Sequence, residues 1–148
     1  MTVTEFIRTQ VPFLTGLTED QALYLAKGIE QKPYRSCQTI VFKGVSVEGL
    51  HIVAQGRVSV HVKPDKKDWV KVAELGPGDV FGETSIMEFA MAGATIKSMK
   101  DDTLIFVIPQ ETFRKLLATD PELEKRTVAL IEQRKQAQAK KPEETKSA

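Results

Sequence analysis

The sequence is short of the residues that most chemistry needs. One cysteine, Cys37, occurs in 148 residues. No intrachain disulfide can form, and the chain fits a reducing cytoplasm. Two histidines, His51 and His61, have no Cys or second His beside them. Metal sites need three or four clustered donors, and the His-x-His pair of a metal-binding double-stranded β-barrel is missing. No run approaches the ~20 apolar residues of a membrane span. The start, Met1-Thr2-Val3-Thr4-Glu5-Phe6, lacks the basic region and apolar run of a secretory signal. Thr2 also excludes a Met-Gly myristoylation site. An excess of one charge is missing too, since 21 basic and 20 acidic residues leave a net charge of +1. Nucleic acid usually asks for a clustered basic face. Neither nucleic acid nor a membrane is expected as a partner.

Catalytic patterns are equally scarce. Ser, Cys and His show no arrangement that activates a nucleophile. There is no Gly-Lys-Ser/Thr loop. Gly76, Gly78 and Gly82 are spaced one residue too far for a dinucleotide loop, with Pro77 inside and no βαβ frame. No enzyme, metal or resident cofactor is expected. Cys37 reads as a small half-buried residue. Each histidine reads as a strand residue on a mixed face.

What is present is a regular succession of elements. Val3, Phe6, Ile7 and Gln10 predict a short amphipathic helix before Pro12. Thr18 and Gln21 form a capping-box pair. Ala22, Leu23, Leu25, Ala26 and Ile29 then follow at helical spacing, and Pro33 closes the segment. Residues 39–43, 50–54, 57–62 and 69–75 predict strands, as do 94–98 and 103–108. Val58, Val60 and Val62 alternate with Arg57, Ser59 and His61, so the two sets face opposite sides. Short strands at this spacing indicate a sandwich or small barrel. Helix returns at Phe113, Leu116 and Leu117. Asp120-Pro121-Glu122 starts another, with Asp as cap, Pro at the first position and an acid in the first turn. Leu123, Thr127, Leu130 and Ile131 share one face of it.

Gly78-Asp79-Val80-Phe81-Gly82-Glu83 carries a resemblance. With Pro12-Phe13-Leu14 before Gly16-Leu17, the strand Ile40 to Phe42 with Gly44, Ile52 and Val53 before Gly56, Ala94-Thr95-Ile96, and Phe113 to Pro121, the order and spacing resemble the cyclic nucleotide-binding domain. This family includes regulatory subunits of cAMP-dependent protein kinase and bacterial catabolite activators. The resemblance implies an α+β fold, an eight-stranded antiparallel jelly-roll barrel with N-terminal and C-terminal helices. It assigns 1–11 to a helical extension, 12–134 to the domain and 135–148 to a charged, disordered tail. Too few residues follow for a helix-turn-helix domain, so a transcription factor is not expected.

The resemblance also implies a phosphate cassette over Phe81, Gly82, Glu83, Thr84, Ser85, Ala92, Gly93, Ala94 and Thr95. Backbone N–H groups at a helix start favour an anion there. Glu83 takes the place of the ribose ligand, and the Ser85 N–H that of a phosphate donor. The family's arginine slot falls on Ala92, and the proline usually before it on Met91. Breaking one partner from a buried ion pair costs roughly 3–5 kcal/mol, or about two to four decades of affinity. Lys43, Arg57 and Lys97 are the candidate substitutes. Ile86, Met87, Phe89 and Met91 make the segment apolar, either as a plug of the barrel mouth or as a groove for an apolar ligand or a partner. Leu130 and Ile131 of the C-terminal helix read as packed on the barrel, with a lid over a ligand or a homodimer seam as the alternatives. Cys37 stands where the family tends to have a glycine, in the turn after Tyr34.

The expected function is a non-enzymatic regulatory module with weak or lost cAMP or cGMP binding, acting by docking a protein partner. The alternative is a working cyclic nucleotide receptor that uses Glu83, backbone N–H groups and a substitute cation.

Overall fold

The computed structural model describes residues 2–44, 49–63, 68–82 and 94–147, with side chains to Arg134. Helix α1 (Val3–Gln10) is capped by the Thr2 side chain, which accepts from the Glu5 N–H. It buries Ile7 completely. A 3-10 turn, Pro12–Leu14, leads to α2 (Glu19–Gly28). The capping box is complete: the Thr18 hydroxyl accepts from the Gln21 N–H, and the Gln21 side chain accepts from the Thr18 N–H. Gly28 ends α2, earlier than Pro33 suggested.

The segment around Pro33 is a strand. β1 (Glu30–Tyr34) pairs antiparallel with β8 (Thr103–Pro109) and lies at a sheet edge. Pro33 is tolerated there because an edge strand leaves one N–H row unpaired. Next come β2 (Thr39–Val41), β3 (Gly49–Gln55), β4 (Val58–Val62), β5 (Val70–Leu75), β6 (Val80–Phe81) and β7 (Thr95–Ser98). The two-residue β6 is too short to carry a periodicity. Two four-stranded sheets result, ordered β1-β8-β3-β6 and β2-β7-β4-β5. This is the antiparallel jelly roll flanked by helices that the resemblance implied.

Two apolar clusters hold the layers together. One lies between the helices and the first sheet, and takes Ile7, Leu14, Leu25, Phe113, Leu116 and Leu123 with Leu50, Ile52, Phe106 and Ile108. The other fills the barrel with Val41, Val53, Val58, Phe81, Ile96, Ile105 and Val107. β3 and β8 therefore bury both faces, as their near-continuous apolar sequences require. Gly78 locks the β5–β6 turn against the end of α1. Its φ is +93°, and a Cβ there would strike the Gln10 carbonyl.

Helix α3 (Gln110–Thr119) follows, then α4 (Pro121–Ser147). Asp120 caps α4 by accepting from the Leu123 N–H at 3.1 Å, and its other carboxylate oxygen accepts from the Gln21 side chain. The helical backbone of α4 runs to Ser147. Residues 135–141, Lys-Gln-Ala-Gln-Ala-Lys-Lys, are strong helix formers. Cys37 is exposed, not half-buried. It is the non-glycine residue with positive φ, at +70°, among those described. That is the left-handed conformation for which a glycine would suit the turn. No helix among the described residues is long and apolar enough to cross a membrane.

Candidate functional site

Strand β6 delivers the first residues of the expected cassette. Val80 points to the helical cluster and Phe81 into the barrel, as strand alternation demands. Gly82 follows with φ +85°, a conformation that favours glycine. Glu83, Thr84, Ser85, Ala92 and Gly93 lie outside the described residues, as do Ile86, Met87, Phe89 and Met91. The chain is described again at Ala94 and Thr95, both buried. The Thr95 hydroxyl accepts from the Lys43 N–H at 3.1 Å. Phe81 and Gly82 thus bound one end of the segment, and Ala94 and Thr95 the other.

The structure brings a further residue to Phe81. His51 lies opposite it across β3 and β6. Their rings stack with centroids 4.8 Å apart and planes 23° apart. From the sequence, His51 is a strand residue on a mixed face. Leu50 and Ile52 face the helices, so His51 and Val53 face the barrel. His51 Nδ1 lies 3.1 Å from the Gly49 carbonyl. A carbonyl only accepts, so Nδ1 carries the proton and Nε2 is the acceptor of the neutral ring. Burial, the main cause, pulls the His51 pKa down to about 4; the Lys32 charge adds to this, while the bond to Gly49 opposes it. The signal for this placement was available in the alternation of Leu50, Ile52 and Val53, but only with the strand's neighbours known. Tyr34 also packs on the barrel cluster, and burial raises its pKa.

The three candidate cations have other environments. Arg57 Nε donates to Glu74 Oε1 at 2.7 Å on the outer face of the second sheet. Lys43 Nζ lies 3.4 Å from the Lys63 carbonyl and is exposed. Lys97 is exposed and follows Ile96, which enters the barrel. Among the described residues no group of three His, Cys, Asp or Glu is placed to hold a metal ion.

The expected lid residues sit on α4. Leu130 packs against the helical cluster and lines a groove with Pro12, Phe13 and Val80. Arg126 of the same helix donates to the Phe13 and Thr15 carbonyls. Leu130 is therefore tied to the helical layer. Ile131 is buried at 3% exposure.

Comparison with known proteins accords with this geometry. The family described as "Cyclic nucleotide-binding domain" matches residues 31–120. The type II regulatory subunit of cAMP-dependent protein kinase from Drosophila melanogaster is 24% identical over 124 residues, covering 84% of this chain and 33% of the relative. A cGMP-dependent protein kinase of the same organism, isozyme 2 forms cD5/T2, is 28% identical, covering 82% of this chain and 13% of the relative. The chain thus spans a third or less of the length of these two curated relatives. Among solved structures, the catabolite activator protein of Thermus thermophilus superposes with a TM-score of 0.76 at 23% identity, covering 91% of this chain and 63% of that one. The regulatory subunit of a cAMP-independent protein kinase A from Trypanosoma brucei superposes at 0.72 with 26% identity, covering 82% and 44%. That structure is a triple mutant, one substitution of which installs an arginine, bound to cAMP. With most of the domain matched by the family and the jelly roll in place, the chain belongs to the cyclic nucleotide-binding domain family.

Proposed function

We propose that the chain is a non-enzymatic regulatory module with weak or lost affinity for cAMP and cGMP, acting by docking a protein partner in a reducing cytoplasm. The observation that carries this reading is the fate of the cations. Ala92 stands at the arginine slot, Arg57 is engaged by Glu74, Lys43 reaches the Lys63 carbonyl, and Lys97 is exposed beyond Ile96. A cyclic phosphate is a permanent anion, and Glu83 in the same segment adds a second negative charge. Without a bidentate, charge-assisted partner, roughly two to four decades of affinity are lost. The Trypanosoma brucei protein supports the reading, since a cAMP-independent subunit there is seen with cAMP after substitutions that include an arginine. Val128, 45% exposed on α4, supports a docking or homodimer surface on that helix.

Calorimetry with cAMP and cGMP tests the proposal on the natural protein beside Ala92→Arg. The expected result is no micromolar binding by the natural protein and a gain of at least about a hundredfold in the variant. Micromolar binding by the natural protein would establish the second reading, a receptor using Glu83 and backbone donors. Relatives named as cAMP-dependent and cGMP-dependent favour that alternative.

A further inference from the structure

The second sheet has an outer face on which the described residues place no helix. Among the described residues, the substantial helix–strand contacts fall on β3 and β8 of the first sheet. Strand alternation defines what the bare face carries. Val58, Val60 and Ile96 enter the barrel, so Arg57, Ser59, His61 and Lys97 turn outward. Residues directly opposite each other share a face. Ser59 lies opposite both Lys97 and Glu74, and His61 opposite Lys71. Arg57, Lys71 and Lys97 therefore surround Ser59 and His61. Glu74 is the acid among them, and it is held at 2.7 Å by both Arg57 and Lys71. Three cations against one carboxylate leave a positive excess. At the adjoining end, exposed Lys43 and Lys63 outnumber exposed Asp68.

Aromatics flank this charge on both edges. Phe42, 59% exposed, comes immediately after β2 on one edge strand. Trp69, 48% exposed, comes immediately before β5 on the other. Three strand spacings, about 14 Å, separate the two edges. Both lie toward the His61 end of the face, where Trp69 adjoins the Val62–Val70 pair and Phe42 follows the Val41–Ile96 pair, and exposed aromatics are characteristic of the anchor positions of protein interfaces.

We propose that this face, with Lys71 and Lys97 between Phe42 and Trp69 and Arg57 at its far end, docks an acidic segment of a protein partner. The charges are set about the half-buried His61 ring, which lies 2.8 Å from the hydroxyl of buried Ser59, and their spacing suits separated carboxylates on an extended segment. A duplex or an anionic membrane would meet little bulk attraction from a chain of net charge +1. The inference rests on the partner-docking part of the proposed function and is independent of whether nucleotide binds.

Trp69 is the chain's only tryptophan, so its emission reports from this face. The full chain is titrated with a short Glu-rich peptide containing spaced leucines, then with its Lys-for-Glu counterpart, phosphatidylserine vesicles and a DNA duplex. A saturable change with the acidic peptide alone is expected. It should weaken at least about tenfold in Lys71→Glu/Lys97→Glu and persist in Lys115→Glu/Lys125→Glu, whose exposed charges lie on α3 and α4. Circular dichroism checks that each variant folds, with Lys71→Gln/Lys97→Gln as the milder replacement. No change in emission, a change that survives charge reversal, or a change given by vesicles or duplex would overturn the proposal. Repeating the titration with cAMP separates the two readings: nucleotide binding overturns the weak-affinity reading and leaves acidic docking standing.

Discussion

The two sheets of the barrel face different surroundings, and their sequences record it. β8, Thr-Leu-Ile-Phe-Val-Ile-Pro, is nearly all apolar because Phe106 and Ile108 meet the helices while Ile105 and Val107 fill the barrel. β4, Val-Ser-Val-His-Val, alternates because, among the described residues, only its barrel face joins an apolar cluster. A strand covered twice is tuned for stability. A strand covered once leaves residues available for recognition.

Substitutions should separate the sheets in order of cost. The largest effect is expected on the doubly covered side. Ile108→Ala should lower unfolding free energy by about 2–5 kcal/mol, measured by urea denaturation, since Ile108 is fully buried. A loss comparable to that of a surface change would break the comparison.

The barrel interior should respond to pH through His51. Its folded pKa, about 4, lies below the ordinary 6.5. The unfolded chain therefore binds the proton first. The stability from a neutral His51 is fully present above pH 6.5 and is lost as pH falls toward 4. The full loss is about 3 kcal/mol. His51→Phe should keep the stack on Phe81 and flatten the stability profile between pH 6.5 and 4. An unchanged slope would place the pH sensitivity elsewhere.

A smaller effect is expected where the chain crosses between the sheets. Cys37 lies between β1 of one sheet and β2 of the other, and its N–H donates to the Ser98 carbonyl at 2.8 Å. Cys37→Gly should relieve the positive φ and stabilise by up to about 1 kcal/mol, partly offset by the freer unfolded chain. A melting temperature lower than that of the natural protein would refute this. The smallest effect belongs to the bare face. Lys97→Ala should change stability by less than about 0.5 kcal/mol, so that any loss of acidic-peptide binding can be assigned to recognition.

Local chemistry in the sequence was legible where the chain supplies its own partners. Thr18 and Gln21 cap each other three residues apart, and Asp120 caps the helix that Pro121 begins. The alternation of β4 predicted that Arg57 would lie outside the barrel, and the pair with Glu74 lies there. Legibility failed where the answer depended on distant residues. Pro33 resembled a helix stop, yet β8 makes its segment an edge strand. Leu130 was read as a helix residue packed on the barrel, and which neighbours it meets in the helical layer depended on residues distant in sequence.

The sequence by itself determined the family and most of the order of elements, missing only β1 and β6 among the described strands, because these are written in local spacing and residue type. Only the tertiary structure decided that His51 stacks on Phe81 inside the barrel, that Arg57 is engaged by Glu74, and that Phe42 and Trp69 flank one bare face. Each of these depends on which strands become neighbours. That choice is made by burying two apolar clusters at once, and no single stretch of chain contains it.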